Sequence, residues 1–192
     1  MRDPTRVAVL ISGRGSNLKA LVDSAAEYDV VLVASNKPQA VGLDWARTRG
    51  IPTWTWDSKG VSRETFDQLL DKVLEDQKVG TIALAGYMRL LSPAFIEKWR
   101  GRIVNIHPSL LPAYRGRDTH ARVLAAGETM TGCTVHVVTE ELDAGRILGS
   151  GQVPVEPKDT PASLEQRVLA AEHKLYPRAL TRFVMAQTKR SA

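Results

Sequence analysis

Apolar positions along the chain switch repeatedly between two periods. Arg6–Ile11 (RVAVLI) is a short continuous apolar run closed by the turn signal SGRGSN; Leu18, Leu21, Val22 and Ala25 then recur at helical spacing. Tyr28–Ala34 reads as a second buried strand, Val41–Arg49 as a second helix ending at Gly50, and Pro52–Trp56 as a third strand. Phe66, Leu69, Leu70, Val73 and Leu74 form the stripe of a third helix. Thr81–Ala85 and Ile103–Ile106 supply two further strands, with Ser92-Pro93 between them as a helix N-cap and first position. Alternation of this kind predicts an α/β fold: an open, mostly parallel, twisted sheet flanked by helices in the Rossmann-like manner.

After about residue 127 the pattern changes. Thr131–Val138 and Arg146–Val155 both read as strands, and the acidic stretch TEELDAG between them predicts an antiparallel hairpin at the end of the sheet. Thr160-Pro161 starts a long C-terminal helix carrying Leu164, Val168, Leu169 and Leu175. Pro177 lacks an N–H and is expected to break or kink that helix at Tyr176. With no repeat, low-complexity run or linker, residues 1–192 are read as one domain.

Composition narrows the function classes. A chain of 192 residues with 43% apolar and 24% charged content can bury a sizeable core. No apolar run approaches the roughly 18–20 residues that span a bilayer, so no membrane partner is expected. The opening MRDPTRVAVLIS is too short in apolar residues for a signal segment and leads into the first strand. Cys133 stands alone, which removes any intrachain disulfide and fits a reducing cytoplasm. The net charge of +5 is scattered, Arg115 and Arg117 being a local exception, and aromatics are only 6%. Nucleic acid is therefore not the expected partner; a small phosphorylated or carboxylated ligand is.

Three stretches carry candidate chemistry. Gly13-Arg14-Gly15-Ser16-Asn17 joins the first strand to the first helix, where a glycine-rich turn lets backbone N–H groups meet a phosphate. It is neither a Walker loop nor a dinucleotide fingerprint: no G-K-[ST] follows, Leu18 stands at the third glycine position, and the second strand ends in Ser35-Asn36 without an acid. A plain tight turn with Ser16 capping the helix is the alternative. In NIHPSLLP, Asn105 and His107 are two apart and project from one face of an extended chain. An amide beside an imidazolium can cradle an oxyanion, with Pro108 and Pro112 stiffening the turn. A proline-stiffened turn with a satisfied histidine explains the same residues. Glu140-Glu141-Leu142-Asp143-Ala144-Gly145 is either a solvated hairpin loop or the carrier of an inward Asp143 that favours the charged form of His107. Ser109 and Cys133 lack the signature of an activated nucleophile, no metal-site spacing occurs, and His120 and His136 are read as structural, although His136 lies on the strand leading to Asp143.

These motifs, in this order, resemble the folate-dependent glycinamide ribonucleotide formyltransferases. The resemblance runs nearly end to end through VLISGRGSNL, SNKPQAVGLDWAR, LAGYMRLLSPAFI, IVNIHPSLLPAY, GCTVHVVTEELDAG and AAEHKLYP. It implies formyl transfer from 10-formyltetrahydrofolate to the amine of glycinamide ribonucleotide in purine synthesis, with no metal. By the same resemblance Asn105, His107 and Asp143 are catalytic, Gly15, Ser16 and Asn17 hold the phosphate, Glu172 contacts the ribose hydroxyls, and Pro108 borders the substrate. Arg63, Met88, Arg89, Leu90, Leu91, Asn105, Thr139, Glu140, Glu141, Leu142 and Asp143 match the folate pocket. Residues 1–100 would form the ribonucleotide half and 101–192 the catalytic and folate half. A homodimer is expected on resemblance alone, and a cytoplasmic location on the lone cysteine. Formyltransferases acting on methionyl-tRNA or amino sugars, and formyltetrahydrofolate deformylase, share the asparagine–histidine–aspartate core. The chain departs from the pattern at Tyr114-Arg115-Gly116-Arg117-Asp118, where many members read PG followed by a small or apolar residue, and at Leu169, which is basic in some relatives. Arg14 is placed to assist phosphate binding in its stead.

Overall fold

The computed structural model describes residues 2–191; Met1 and Ala192, the two ends of the expected single unit, lie outside the described residues. In chain order the elements are β1 (Arg6–Ile11), α1 (Ser16–Asp23), β2 (Asp29–Ser35), α2 (Val41–Thr48), β3 (Thr53–Thr55), α3 (Arg63–Asp76), β4 (Thr81–Leu84), α4 (Pro93–Lys98), β5 (Ile103–His107), α5 (Thr119–Ala125), β6 (Met130–Val137), β7 (Ile147–Pro154) and α6 (Pro161–Ser191). The strands form one sheet in the order β3-β2-β1-β4-β5-β6-β7. The first five are mutually parallel, while β6 runs antiparallel to β5 and to β7. The expected edge hairpin is therefore present within a residue of its predicted bounds.

Alternation along each strand sorts side chains onto two faces. Val7, Val9 and Ile11 of β1, with Val104 and Ile106 of β5 and Cys133, Val135 and Val137 of β6, join the core under α1, α2, α5 and α6. Ala8 and Leu10 of β1, Ile82 and Leu84 of β4 and Ile103 of β5 pack on the other face against Phe66, Leu70 and Leu74 of α3 and Phe95 of α4. Parity therefore sends Asn105, His107, Thr134 and His136 to the α3–α4 face, but at β5 and β6, where that face has lost its helices. Loops cover it there instead.

Helix ends follow local chemistry. Ser62 and Ser92 cap α3 and α4 by accepting from the N–H groups of Thr65 and Phe95, and Pro93 occupies the first turn of α4. The expected break at Pro177 does not occur: α6 continues through it to Ser191. The lost N–H is outweighed by packing on both sides of the proline. Tyr176, Ala179, Leu180, Phe183 and Val184 are all buried against the sheet, and the Tyr176 hydroxyl donates to the carbonyls of Leu84 and Val104 at 3.0 Å each. Helix α5 lay beyond the sequence pattern because it is a single seven-residue stretch whose one deeply buried apolar side chain is Val123.

Gly15 and Gly42 bring α1 and α2 into backbone contact. A Cβ on Gly42 would lie 2.5 Å from Ile11 Cδ1, 3.2 Å from the Gly15 Cα and 3.3 Å from the Gly13 carbonyl. The Gly42 N–H donates to that same carbonyl at 3.1 Å, so the start of α2 is stitched to the loop after β1. Gly42→Ala is expected to destabilise the fold by about 1–3 kcal/mol through overpacking, read as a lower thermal midpoint. An unchanged midpoint would show that the contact relaxes freely.

Candidate active site

The strand order reverses between β1 and β4, and in open α/β sheets the crevice at such a switch point takes the ligand. Its first wall is the loop after β1. Gly15 is the N-cap of α1 in a left-handed conformation (φ 74°), which glycine adopts without strain, and the first-turn N–H groups of Ser16, Asn17 and Leu18 face out of the helix end. Such an end holds an anion through its N–H groups and dipole. The Asn17 Nδ2 donates to Glu172 Oε2 at 2.7 Å, joining the loop to α6. Burial drives the Glu172 carboxyl from 4.5 to about 7, against the opposing pull of the Asn17 amide. Arg14 is 84% exposed and lies 3.8 Å from Glu165, so it stands at the rim free to turn toward an anion. Leu169 is half-buried and offers no charge.

Across β4, roughly 10 Å away at two strand spacings, stands a second cluster. In the β5–β6 register Asn105 is paired with His136 and His107 with Thr134, which sets all four on one face. The connection after Val137 doubles back across that face and delivers Asp143. Its carboxylate lies 3.3 Å from His107 Nδ1 and 3.5 Å from His136 Nε2. Asp143 is 9% exposed, with φ 51°, a left-handed conformation that aspartate tolerates better than most residues. Burial raises its pKa, but the hydrogen bonds from His136 and the Gly116 N–H (2.9 Å), with the His107 charge, outweigh it and hold the carboxyl below its usual range.

The histidine environments differ. His107 Nε2 donates to the Tyr114 carbonyl at 2.9 Å while Nδ1 faces the Asp143 carboxylate at 3.3 Å, so the ring has an acceptor on each side. His136 Nδ1 donates to the Val137 carbonyl at 3.1 Å, leaving Nε2 between the Asn105 amide (3.2 Å) and Asp143. The histidine read as structural is therefore a member of the polar cluster. Its place opposite Asn105 on the paired strand was the available signal. His120 is different: burial lowers its pKa, outweighing the Glu165 carboxylate, as for a neutral ring within the fold. Burial likewise pushes the Cys133 thiol up to about 12, so it is no nucleophile. Thr134 holds the turn after β5, donating from Oγ1 to the Ser109 carbonyl at 2.7 Å and accepting from the Leu111 N–H at 3.0 Å; Pro108, half-buried, begins that turn.

The mouth of the crevice is apolar. Met88 is 73% exposed, Leu90 57% and Leu142 52%, while Leu91 is buried beneath them. The Met88 N–H donates to Ser12 Oγ, which itself donates to Asn36 Oδ1 at 2.6 Å, tying the 86–91 loop to the carboxyl ends of β1 and β2. Arg89 has a supporting position: its guanidinium bonds the Val61 and Ser62 carbonyls at 2.9 Å and lies 5.0 Å over Phe66. Arg63, next along, is the exposed first residue of α3. Thr139 Oγ1 donates to the Glu141 carbonyl, shaping the 139–143 loop, and Glu140 is exposed. Among the described residues no group of three or more His, Cys, Asp or Glu could hold a metal ion, and no helix is long and apolar enough to cross a membrane.

A glycine-rich helix-end loop and an amide–imidazole–carboxylate cluster face each other across the switch point of a doubly wound sheet, an arrangement suited to a group-transfer enzyme. The formyl transferase family model matches residues 5–180. The chain belongs to the formyl transferase family. It is 51% identical over 180 residues to the trifunctional purine biosynthetic protein adenosine-3 of Bos taurus, which covers 91% of this chain but 18% of that protein's length. It is 41% identical to the phosphoribosylglycinamide formyltransferase of Escherichia coli K12, covering 95% of this chain and 89% of that one. The solved phosphoribosylglycinamide formyltransferase of Brucella melitensis superposes with a TM-score of 0.88 at 46% identity, covering 96% of each chain.

Because the Glu172 carboxyl is raised in the fold, its contribution to stability is fully present below pH 4.5 and is lost as pH rises toward 7. Glu172→Gln keeps an acceptor for Asn17 and removes that loss. Thermal unfolding of the variant is expected to show a gain over wild type at pH 8 that vanishes near pH 4; equal gains at both values would exclude the linkage.

Proposed function

We infer that this chain transfers the formyl group of 10-formyltetrahydrofolate to the primary amine of glycinamide ribonucleotide, giving N-formylglycinamide ribonucleotide and tetrahydrofolate in purine synthesis. The observation carrying this reading is the pairing, across β4, of a helix-end anion loop backed by Glu172 with the cluster of Asn105, His107 and Asp143. A phosphate on Gly15–Asn17 and ribose hydroxyls at Glu172 leave a short amide arm to cross toward Asn105. The names borne by relatives matched over most of their length support formyl transfer to the glycinamide ribonucleotide. Met88, Leu90 and Leu142, uncovered at the mouth, suit the flat apolar rings of a folate, with Leu91 beneath and Arg63 and Glu140 at its edge.

The amine nitrogen attacks the formyl carbon, and the carbonyl electrons move onto oxygen. The Asn105 amide and the His107 imidazolium receive that oxyanion; a full negative charge is a stronger acceptor than the Tyr114 carbonyl and takes over the Nε2–H. Asp143 keeps His107 charged and accepts a proton from the attacking amine, directly or through a water. A proton delivered to the folate N10 lets the carbon–nitrogen bond break as the carbonyl re-forms. His136, beside both Asn105 and Asp143, sits where that proton can be relayed.

Incubation with 10-formyltetrahydrofolate and glycinamide ribonucleotide is expected to release tetrahydrofolate only when the amine is present. Release in its absence would indicate a deformylase, in which water replaces the amine, and no release at all would indicate a binding protein. Asp143→Asn is the sharper probe of mechanism, because asparagine also tolerates φ 51° and the fold should survive. It is expected to lower kcat by about 10²–10⁴-fold in a protein that still unfolds in one cooperative transition, at a somewhat lower midpoint because His107 loses its carboxylate partner. Near-normal turnover would remove Asp143 from the mechanism.

A further inference from the structure

Three consecutive residues of the loop between β5 and α5 touch His107, Asp143 and the 139–143 loop that carries Asp143. The Tyr114 carbonyl accepts from His107 Nε2 at 2.9 Å, the Arg115 guanidinium pairs with Glu141 Oε1 at 2.6 Å, and the Gly116 N–H donates to Asp143 Oδ2 at 2.9 Å. Tyr114 and Gly116 both have left-handed backbone (φ 55° and 82°), so the segment is held in this shape from outside. The holder is Arg122 on α5. Its Nη1 donates to the Arg115 carbonyl at 2.7 Å and the Arg117 carbonyl at 3.3 Å, and its guanidinium lies 5.4 Å over the Tyr114 ring. The Tyr114 hydroxyl adds a bond to Glu128 at 2.6 Å.

We propose that residues 114–117 form a strap set by Arg122 and locked to the 139–143 loop by Arg115 and Glu141, making Arg122 and Arg115 positioning residues for His107 and Asp143. Both arginines are exposed and do not touch the reacting atoms. An exposed ion pair contributes little to stability; this one fixes where the loop carrying Asp143 sits. The groups facing Asp143 are His107 from β5, His136 from β6 and the Gly116 N–H from the strap, with the Arg115–Glu141 pair just outside. Of these, loosening the strap removes the Gly116 bond to the carboxylate and frees His107 Nε2. Losing a donor that favours the ionised carboxylate raises its pKa.

The proposal rests on the acid–base reading of Asp143, so it is tested by a measurement that needs no turnover. The ¹³C NMR titration midpoint of the Asp143 carboxyl in the free protein is expected to move upward by about 0.5 pH unit or more in Arg122→Ala. Arg115→Ala is expected to give a smaller upward shift, and that shift is expected to shrink when Glu141 is already alanine, because the lock is then absent. In assays, the acid limb of the kcat/KM profile moves up with the NMR midpoint while the KM for the amine at the pH optimum stays within about twofold. An unmoved Asp143 midpoint in Arg122→Ala, or a loss of kcat equal at every pH, overturns the strap. Additive shifts from Arg115 and Glu141 overturn the lock between them. Were Asp143→Asn fully active while the midpoint still moved, the mechanism would fall and the strap would stand.

Discussion

Strand parity at β5 and β6 is the constraint on which the site depends. A two-residue period puts Val104 and Ile106 into the core under α6 and, by necessity, Asn105 and His107 on the opposite face. Antiparallel pairing then fixes which β6 side chains join them: Thr134 and His136, whose neighbours Cys133, Val135 and Val137 are equally committed to the core. A one-residue slip in register would carry the polar quartet into hydrocarbon and the valines into the crevice. The reactive geometry is thus guarded by the hydrophobic effect acting on residues that never meet a substrate.

Charge at the site is kept by substitution of partners for water. Asp143 and His107 are nearly covered, and each pays for that only because a carboxylate, an amide N–H or a carbonyl has taken the place of solvent. Glu172 follows another course. With the Asn17 amide as donor and the Glu165 carboxylate nearby, its burial favours the proton, so a carboxyl on one side of the crevice is poised near neutrality while that on the other stays ionised. Two acids in one cleft are separated in behaviour by how many donors reach each of them.

Much of this arrangement was legible in the residues. Apolar periodicity disclosed the sheet, the edge hairpin and the helix starts because those depend on local pattern and caps. The spacing of Asn105 and His107 and the resemblance of the surrounding motifs located the polar cluster. Pro177 misled, since a backbone rule cannot anticipate the anchoring of Tyr176 to two strands 72 and 92 residues distant. His136 was undervalued because its importance lies in a cross-strand register. The work of Tyr114 and Gly116 is done by backbone atoms, which leave no trace in side-chain chemistry. Arg89, matched to the folate pocket by resemblance, and Arg122 both direct their guanidinium groups to carbonyls of their own chain.

The meeting of Gly15 with Gly42 has a wider meaning for the design of the anion loop. Because the two backbones touch, the loop has no freedom to accept a side chain at either position by moving outward, since α2 forms its outer wall. Reshaping the loop therefore demands a coordinated remodelling of two elements 27 residues apart in the chain, and a change confined to the loop alone is closed off.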